Sequence, residues 1–274
     1  MRDITLNQLN THPIGIFDSG IGGLTTAHAL VNLLPNENII YFGDTAHMPY
    51  GEKSTAAIQA YAVKIAHLLL QQQCKLILIA CYSATAAAFE LVKEYVNGRA
   101  HVVNVIDPTV RFLEQHYRGQ HIGLIGTRQT VNSNIHVKKI NALNAKITLS
   151  SYATNLLAAA IEEFANHPII DHLLEVYLAH PQLQGIDALV LACTHYPVVK
   201  EKIAHYYQQK IDIIDASTIV AEHVQQQLMQ HQLLNTGSLG SKRFYVSDYT
   251  ESFAANAKLF FGEHITLEHY PLWD

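Results

Sequence analysis

Two thiols set the chemistry open to this chain. Cys81 ends the apolar run Leu76-Ile77-Leu78-Ile79-Ala80 and is followed by Tyr82-Ser83-Ala84-Thr85. Cys193 ends Leu189-Val190-Leu191-Ala192 and is followed by Thr194-His195-Tyr196-Pro197. Each sulfur stands where a buried type of strand gives way to polar residues and a helix start. Backbone N–H groups at helix N-termini are unpaired and the helix dipole favours an anion, so such positions bind carboxylates and lower a thiol pKa. Two thiols facing one substrate carbon from opposite sides suit inversion of a stereocentre next to a carboxylate. One thiolate removes the proton and the opposed thiol returns a proton to the other face, with Asp18 and His195 able to shuttle protons to them. Two other readings stay open: a thiol hydrolase or isomerase built from Cys193 and His195 alone, and a weakly active protein that binds amino acids. A single free cysteine is more often a small core residue. The matched Ala-Cys-polar context argues for function at Cys81 and Cys193, whereas Cys74 lacks it and reads as structural.

The elements around these thiols alternate. Strands are expected over 14–17, 38–42, 76–80 and 101–106, with helices over 24–34, 55–73 and 83–96. The pattern then restarts, with strands over 121–125, 146–150, 186–192 and 211–215. The helices of this half fall over 131–143, 156–164 and 169–179, from Pro197 onward, and after 215 to about 230. A tail adds a strand at 243–246, a helix at 251–261 and a strand at 265–269, and is expected to pack on the first unit. The strands are apolar on both faces, the mark of parallel sheets covered by helices. The two halves rhyme, which predicts an α/β fold of two pseudo-symmetric lobes. Each lobe is a mainly parallel sheet flanked by helices, with the active site in the cleft between them. Residues 1–107 with 216–274 form the first lobe and 108–215 the second. Catalytic groups on open α/β sheets sit at the carboxyl ends of strands. The candidate turns are therefore Asp18-Ser19, Pro49-Tyr50-Gly51, Cys81 to Thr85, Thr127 to Thr130 and Cys193-Thr194-His195. Thr127 and Thr130 read equally well as helix caps.

Composition narrows the partners. The chain has 274 residues, 49% hydrophobic and 15% charged, ample for a core. A net charge of -5 gives no electrostatic case for nucleic acid or an anionic membrane. Three cysteines argue against a disulfide framework and for a reducing compartment. With neither a signal-peptide core nor a membrane-length apolar run, a cytoplasmic location is expected. The 17 histidines are scattered, without Cys-x-x-Cys or His-Glu-x-x-His spacing, so no metal site is expected.

Several stretches carry a resemblance. They are Gly15-Ile16-Phe17-Asp18-Ser19-Gly20-Ile21-Gly22-Gly23-Leu24, then Tyr41-Phe42-Gly43-Asp44-Thr45 with Pro49-Tyr50-Gly51, then Leu189 through Pro197. Together, from about residue 14 to 215, they resemble the bacterial glutamate racemases of the aspartate/glutamate racemase superfamily. The resemblance implies a cofactor-independent racemase in which Cys81 and Cys193 are the acid/base thiols and Asp18 and His195 their partners. Ser19, Tyr50, Gly51, Ser83 and Thr194 would contact the amino acid, with Pro49, Tyr82, Thr127 and Thr130 completing the set. Glu162 resembles an acidic residue near the site in this family. A homodimer, supply of D-glutamate to peptidoglycan and a cell-wall precursor as effector are further implications; aspartate or another acidic amino acid is the alternative substrate. The chain departs from the family at Tyr82, where Asn is usual, and at His136, where Tyr is frequent.

Overall fold

The computed structural model describes residues 9–274; residues 1–8 lie outside them. Two parallel sheets organise the chain. The first has six strands in the order β10-β9-β2-β1-β3-β4 and the second four in the order β6-β5-β7-β8. The first sheet is built from β1 (Ile14–Asp18), β2 (Ile39–Gly43), β3 (Leu76–Ile79), β4 (His101–Asn104), β9 (Lys242–Val246) and β10 (Leu267–His269). The second is built from β5 (His121–Gly126), β6 (Thr148–Ala153), β7 (Ala188–Ala192) and β8 (Asp212–Ile214). The tail strands β9 and β10 extend the first sheet beyond β2.

Strand alternation explains the layers. Ile14, Ile16, Ile39, Tyr41, Leu76 and Leu78 share one core cluster, which continues into Ile122, Leu124, Leu189 and Leu191 of the second sheet. The residues between them, Phe17, Ile40, Phe42, Ile77 and Ile79, belong to a second cluster on the opposite face of the first sheet. That second face is closed by α2 (Thr55–Gln71) and α3 (Tyr82–Val96), whereas α1 (Leu24–Leu33) covers the first. Burial on both faces is why these strands read as unbroken apolar runs. Among the described residues no helix is long and apolar enough to cross a membrane.

The strand expected over 146–150 is shifted to Thr148–Ala153, and three further elements differ in kind or extent. The strand expected over 101–106 stops at Asn104, whose side-chain oxygen accepts from the N–H groups of Ile106 and Asp107 at 2.8 and 2.9 Å. This local cap starts α4 (Ile106–His116), with Pro108 in the first turn where no N–H is needed. The helix expected over 131–143 is two helices, α5 (Arg128–Asn132) and α6 (Ile135–Ala142), broken where Asn134 takes the left-handed conformation at φ 54°. The helix expected from Pro197 opens as a 3-10 turn, Tyr196–Val199, before α9 (Lys200–Tyr206). The other helices are α7 (Leu157–Phe164), α8 (Ile169–Leu178), α10 (Ser217–Gln230) and α11 (Glu251–Phe261).

At the amino ends of the first sheet a buried ion pair ties three segments together. Lys75 Nζ donates to Glu37 Oε2 at 2.5 Å and to the carbonyl of Leu233 at 2.8 Å, and both charged side chains are 1% exposed. Glu37 also accepts from the Asn235 N–H at 2.7 Å. Removing one partner of such a pair strands a buried charge, which typically costs about 3–5 kcal/mol. Lys75→Met should therefore lower the urea-unfolding free energy by about that amount, with the geometry at the far end of the sheet retained in the folded fraction.

Candidate active site

The carboxyl ends of both sheets bring the candidate residues together. β1 and β3 are adjacent in the first sheet, and β5 and β7 in the second. Asp18 ends β1, Cys81 caps α3 just past β3, Thr127 caps α5 just past β5, and Cys193 follows β7. Side chains cross between the sheets at these ends. Ser83 and Thr127 hydroxyls lie 2.8 Å apart, Thr194 Oγ1 donates to Asp18 Oδ1 at 3.4 Å, and Thr25 Oγ1 donates to the Thr194 carbonyl at 3.2 Å. A single pocket is lined by Ser19, Pro49, Tyr50, Gly51, Cys81, Tyr82, Ser83, Thr127, Cys193, Thr194 and His195, together with Ala158 and Ala192. Its volume of about 30 Å³ holds only one or two waters, so any larger molecule needs it to open. A far larger cavity of about 550 Å³ lies beside α1 and α10, but it contains neither thiol; the sequence candidates gather at the smaller pocket.

The two sulfurs have different neighbours. Cys81 Sγ accepts from the Ala84 N–H at 3.4 Å and donates to Ser19 Oγ at 3.6 Å. Desolvation, with the Asp18 charge adding to it, pushes the Cys81 thiol up to about 12 against these hydrogen bonds. The helix start was expected to lower that pKa; here burial outweighs it, and Cys81 is held as the thiol. Cys193 Sγ lies 3.8 Å from His195 Nδ1, and His195 Nε2 donates to Glu162 Oε2 at 2.9 Å. Burial opposes a charge on His195, yet the hydrogen bonds to Cys193 and Glu162 outweigh it and raise its pKa to about 10. Phe260 packs edge-on against the imidazole at 5.2 Å, and Asn256 donates to the Glu162 carbonyl at 2.9 Å, so α11 braces this dyad.

Asp18 is wholly buried. Its Oδ2 accepts from the N–H groups of Gly20 and Gly23, each at 3.1 Å. Burial raises its pKa, and the His195 charge and these N–H groups take back part of the rise. Glycine is required twice in this turn. A Cβ at Gly23 would stand 2.6 Å from Asp18 Cβ, and one at Gly22 would stand 2.5 Å from His195 Nδ1. Gly22 and Gly23 are therefore clearance for an imidazole and a carboxylate.

The remaining sequence candidates divide. Thr130 does not line the pocket; its hydroxyl backs Thr127 at 3.1 Å. Glu162 is one turn beyond Ala158 on α7 and reaches the site through His195. Tyr82 lines the pocket but its ring belongs to the main core, stacked against His136 at 6.1 Å and hydrogen-bonded to Thr109. The two departures from the family pattern thus touch each other. His136 Nε2 has no hydrogen-bond partner among the described residues, and burial, with Lys139 nearby, lowers its pKa to about 4. Sequence reasoning missed Ala158, Ala192, Asn256 and Phe260. The first two are small residues without chemical signal, and the last two sit on a helix distant in sequence.

A sequence model described as the Asp/Glu/Hydantoin racemase family matches residues 23–224. The chain belongs to that family. Among curated relatives, the glutamate racemase of Syntrophus aciditrophicus is 38% identical over 261 residues, covering 94% of this chain and 96% of its own length. That of Neisseria meningitidis serogroup C is 38% identical over 252 residues, covering 91% and 93%. Among solved structures, glutamate racemase from Francisella tularensis in complex with D-glutamate has a TM-score of 0.89 and 37% identity over 96% of this chain and 99% of that one. A glutamate racemase isoform from Bacillus anthracis has a TM-score of 0.90 and 28% identity, with the same coverage. Within the racemase-family span fall Cys81, Glu162, Cys193 and His195. Asp18 and Ser19 precede it and join the site through the contacts of Thr194 and Cys81.

Two outcomes are expected. His195 has a folded-state pKa above its unfolded value of about 6.5, so its contribution to stability is full below pH 6.5 and is lost as pH rises to about 10. The stability difference between the protein and its His195→Gln variant, measured by urea unfolding across this range, should shrink as pH rises. Gly22→Ala should displace the imidazole and cut turnover by at least about tenfold, the scale of a misplaced catalytic group, while far-UV circular dichroism stays unchanged.

Proposed function

We propose that this chain racemises glutamate by a two-thiol mechanism without a cofactor. The observation that carries the reading is that both thiols, each at a strand end of a different sheet and each with its own proton partners, line one pocket. The names of the curated relatives and the D-glutamate bound to the Francisella protein support glutamate as substrate. The reading takes the two sheets as the cores of two lobes, 1–107 with 216–274 and 108–215, and the pocket as the space between them.

In one direction the Cys193 sulfur, as thiolate, takes the Cα proton; the Cα–H bond breaks and an S–H bond forms. The His195 imidazolium, paired with Glu162, is the counter-charge such a thiolate needs. The electron pair left on carbon spreads into the adjacent carboxylate. Cys81, held as the thiol, gives its proton to the opposite face and becomes the thiolate. The reverse reaction exchanges the roles, with Asp18 and Ser19 serving Cys81. N–H groups at the start of α3 and the hydroxyls of Ser83, Thr127 and Thr194 hold the carboxylates. Thr130 supports Thr127, while Pro49, Tyr50 and Gly51 close the pocket from the first sheet; Tyr82 forms its inner wall. A cytoplasmic homodimer that supplies D-glutamate to peptidoglycan, and that responds to a cell-wall precursor, completes the reading.

The test is racemisation in deuterated water. L-Glutamate should give D-glutamate carrying deuterium at Cα, because the returned hydrogen comes from a different thiol than the one that took the proton. Cys81→Ser and Cys193→Ser should each lower kcat by about a hundred- to ten-thousand-fold, the range for loss of a general acid or base. Exchange with aspartate but not glutamate would shift the substrate assignment. A Cys81→Ser variant of full activity would sink the two-thiol mechanism.

A further inference from the structure

The loop between β2 and α2 brings Pro49, Tyr50 and Gly51 to the pocket. The anchor is Asp44, which is wholly buried. Tyr50 donates its hydroxyl to Asp44 Oδ2 at 2.6 Å, and Ser247 donates to Oδ1 at 2.8 Å. Trp273, beyond β10, donates its indole N–H to Oδ1 at 2.7 Å. His47 Nδ1 lies 3.1 Å from both oxygens. Four donors converging on two oxygens fill the acceptor sites of a carboxylate.

Aromatic packing continues the same attachment. The Trp273 ring meets His47 edge-on at 4.4 Å and Tyr61 at 5.4 Å, and the Lys64 ammonium sits over it at 4.5 Å. His47 in turn stacks on Tyr61 at 4.0 Å. The substrate loop is therefore held from one side by its own neighbours and from the other by a tail residue more than 220 positions away. Ser247 and Trp273 also reach the loop from beyond residue 224, outside the span that defines the racemase family.

We infer that Trp273 is a positioning residue for substrate binding, acting through Asp44 to hold Tyr50 and its neighbours at the pocket wall. The inference rests on the proposed racemase reading for the identity of the substrate. The physical argument is geometric. A pocket wall on a loop contributes to binding only when its geometry is fixed beforehand, because ordering the loop at the moment of binding subtracts from affinity. Hydrogen bonds to a buried carboxylate are stronger than neutral ones, so the indole N–H is a substantial part of that fixing. Trp273 touches none of the thiols or their partners, so its effect is on binding rather than on proton transfer.

The experiment uses Trp273→Phe, which keeps an aromatic ring but loses the N–H donor, Asp44→Asn, and the double variant. Amide hydrogen exchange over residues 45–53 should rise in Trp273→Phe, while exchange in β1 and β3 stays as in the parent protein. KM for glutamate should rise by about tenfold, the scale of one charge-assisted hydrogen bond, with kcat within about twofold. Because Trp273 acts through Asp44, the double variant should bind no worse than Asp44→Asn alone. Unchanged exchange over 45–53 overturns the inference whether or not the protein turns over glutamate. So does an unchanged KM, a loss confined to kcat, or effects that add in the double variant. A parent protein that exchanges no glutamate Cα hydrogen sinks the racemase reading instead, and the exchange measurement still decides whether Trp273 fixes the loop.

Discussion

A carboxyl group sealed at the end of a central strand has to find its hydrogen bonds without water. Asp18 meets that demand with the N–H groups of Gly20 and Gly23 on one oxygen and the Thr194 hydroxyl on the other. The cost of leaving a buried charge without partners is large enough to dictate everything near it. It forces the chain into a tight turn, and that turn must be glycine where Asp18 and His195 press against it. It also requires a donor from the other sheet, so Asp18 is complete only when the Cys193 turn is seated beside the Asp18 turn. The Asp18 and Cys193 turns of the two sheets are thereby held together by the needs of one carboxylate.

The same logic organises the rest of the pocket as two crossed links. The β1 turn joins the β7 turn through Asp18 and Thr194, and the β3 turn joins the β5 turn through Ser83 and Thr127. Each thiol thus belongs to a strand end that holds on to the opposite sheet. The partners differ in kind, a hydroxyl and a carboxylate near Cys81, an imidazole and a carboxylate near Cys193. The arrangement is symmetric in backbone and asymmetric in the groups around each sulfur.

Much of this was legible from residue order because apolar runs broken by polar turns locate strand ends directly. Cys81, Cys193, Asp18, Ser83 and His195 stood at such breaks; the structure brings all but Asp18 to one pocket wall, and Asp18 lies buried behind it, hydrogen-bonded to Thr194. The alternation of strand and helix likewise announced parallel sheets. The failures have local causes. A strand cannot be seen to stop at Asn104 until its side chain is known to cap the next helix, and Asn134 breaks a periodic helix by a backbone conformation that periodicity does not register. The thiol acidity at Cys81 was misjudged because a helix start and full burial act in opposite directions, and sequence supplies only the first. The Asp44 cluster was invisible for another reason: beside His47 and Tyr50 its donors come from Ser247 and Trp273, and no pattern along the chain links a turn tyrosine to a tail tryptophan.

Enclosure of the sulfurs also bears on their survival. Peroxides attack the thiolate and need access to it; damage climbs from a reversible sulfenic acid to irreversible forms. Cys81 and Cys193 are 5% and 6% exposed, and the space between them admits little more than a water molecule. The closed pocket therefore shields its own nucleophiles, and the intervals when it opens to exchange amino acids are the intervals of vulnerability. An enzyme of this design should tolerate oxidants best when saturated with substrate, so that ligand occupancy and chemical longevity rise together.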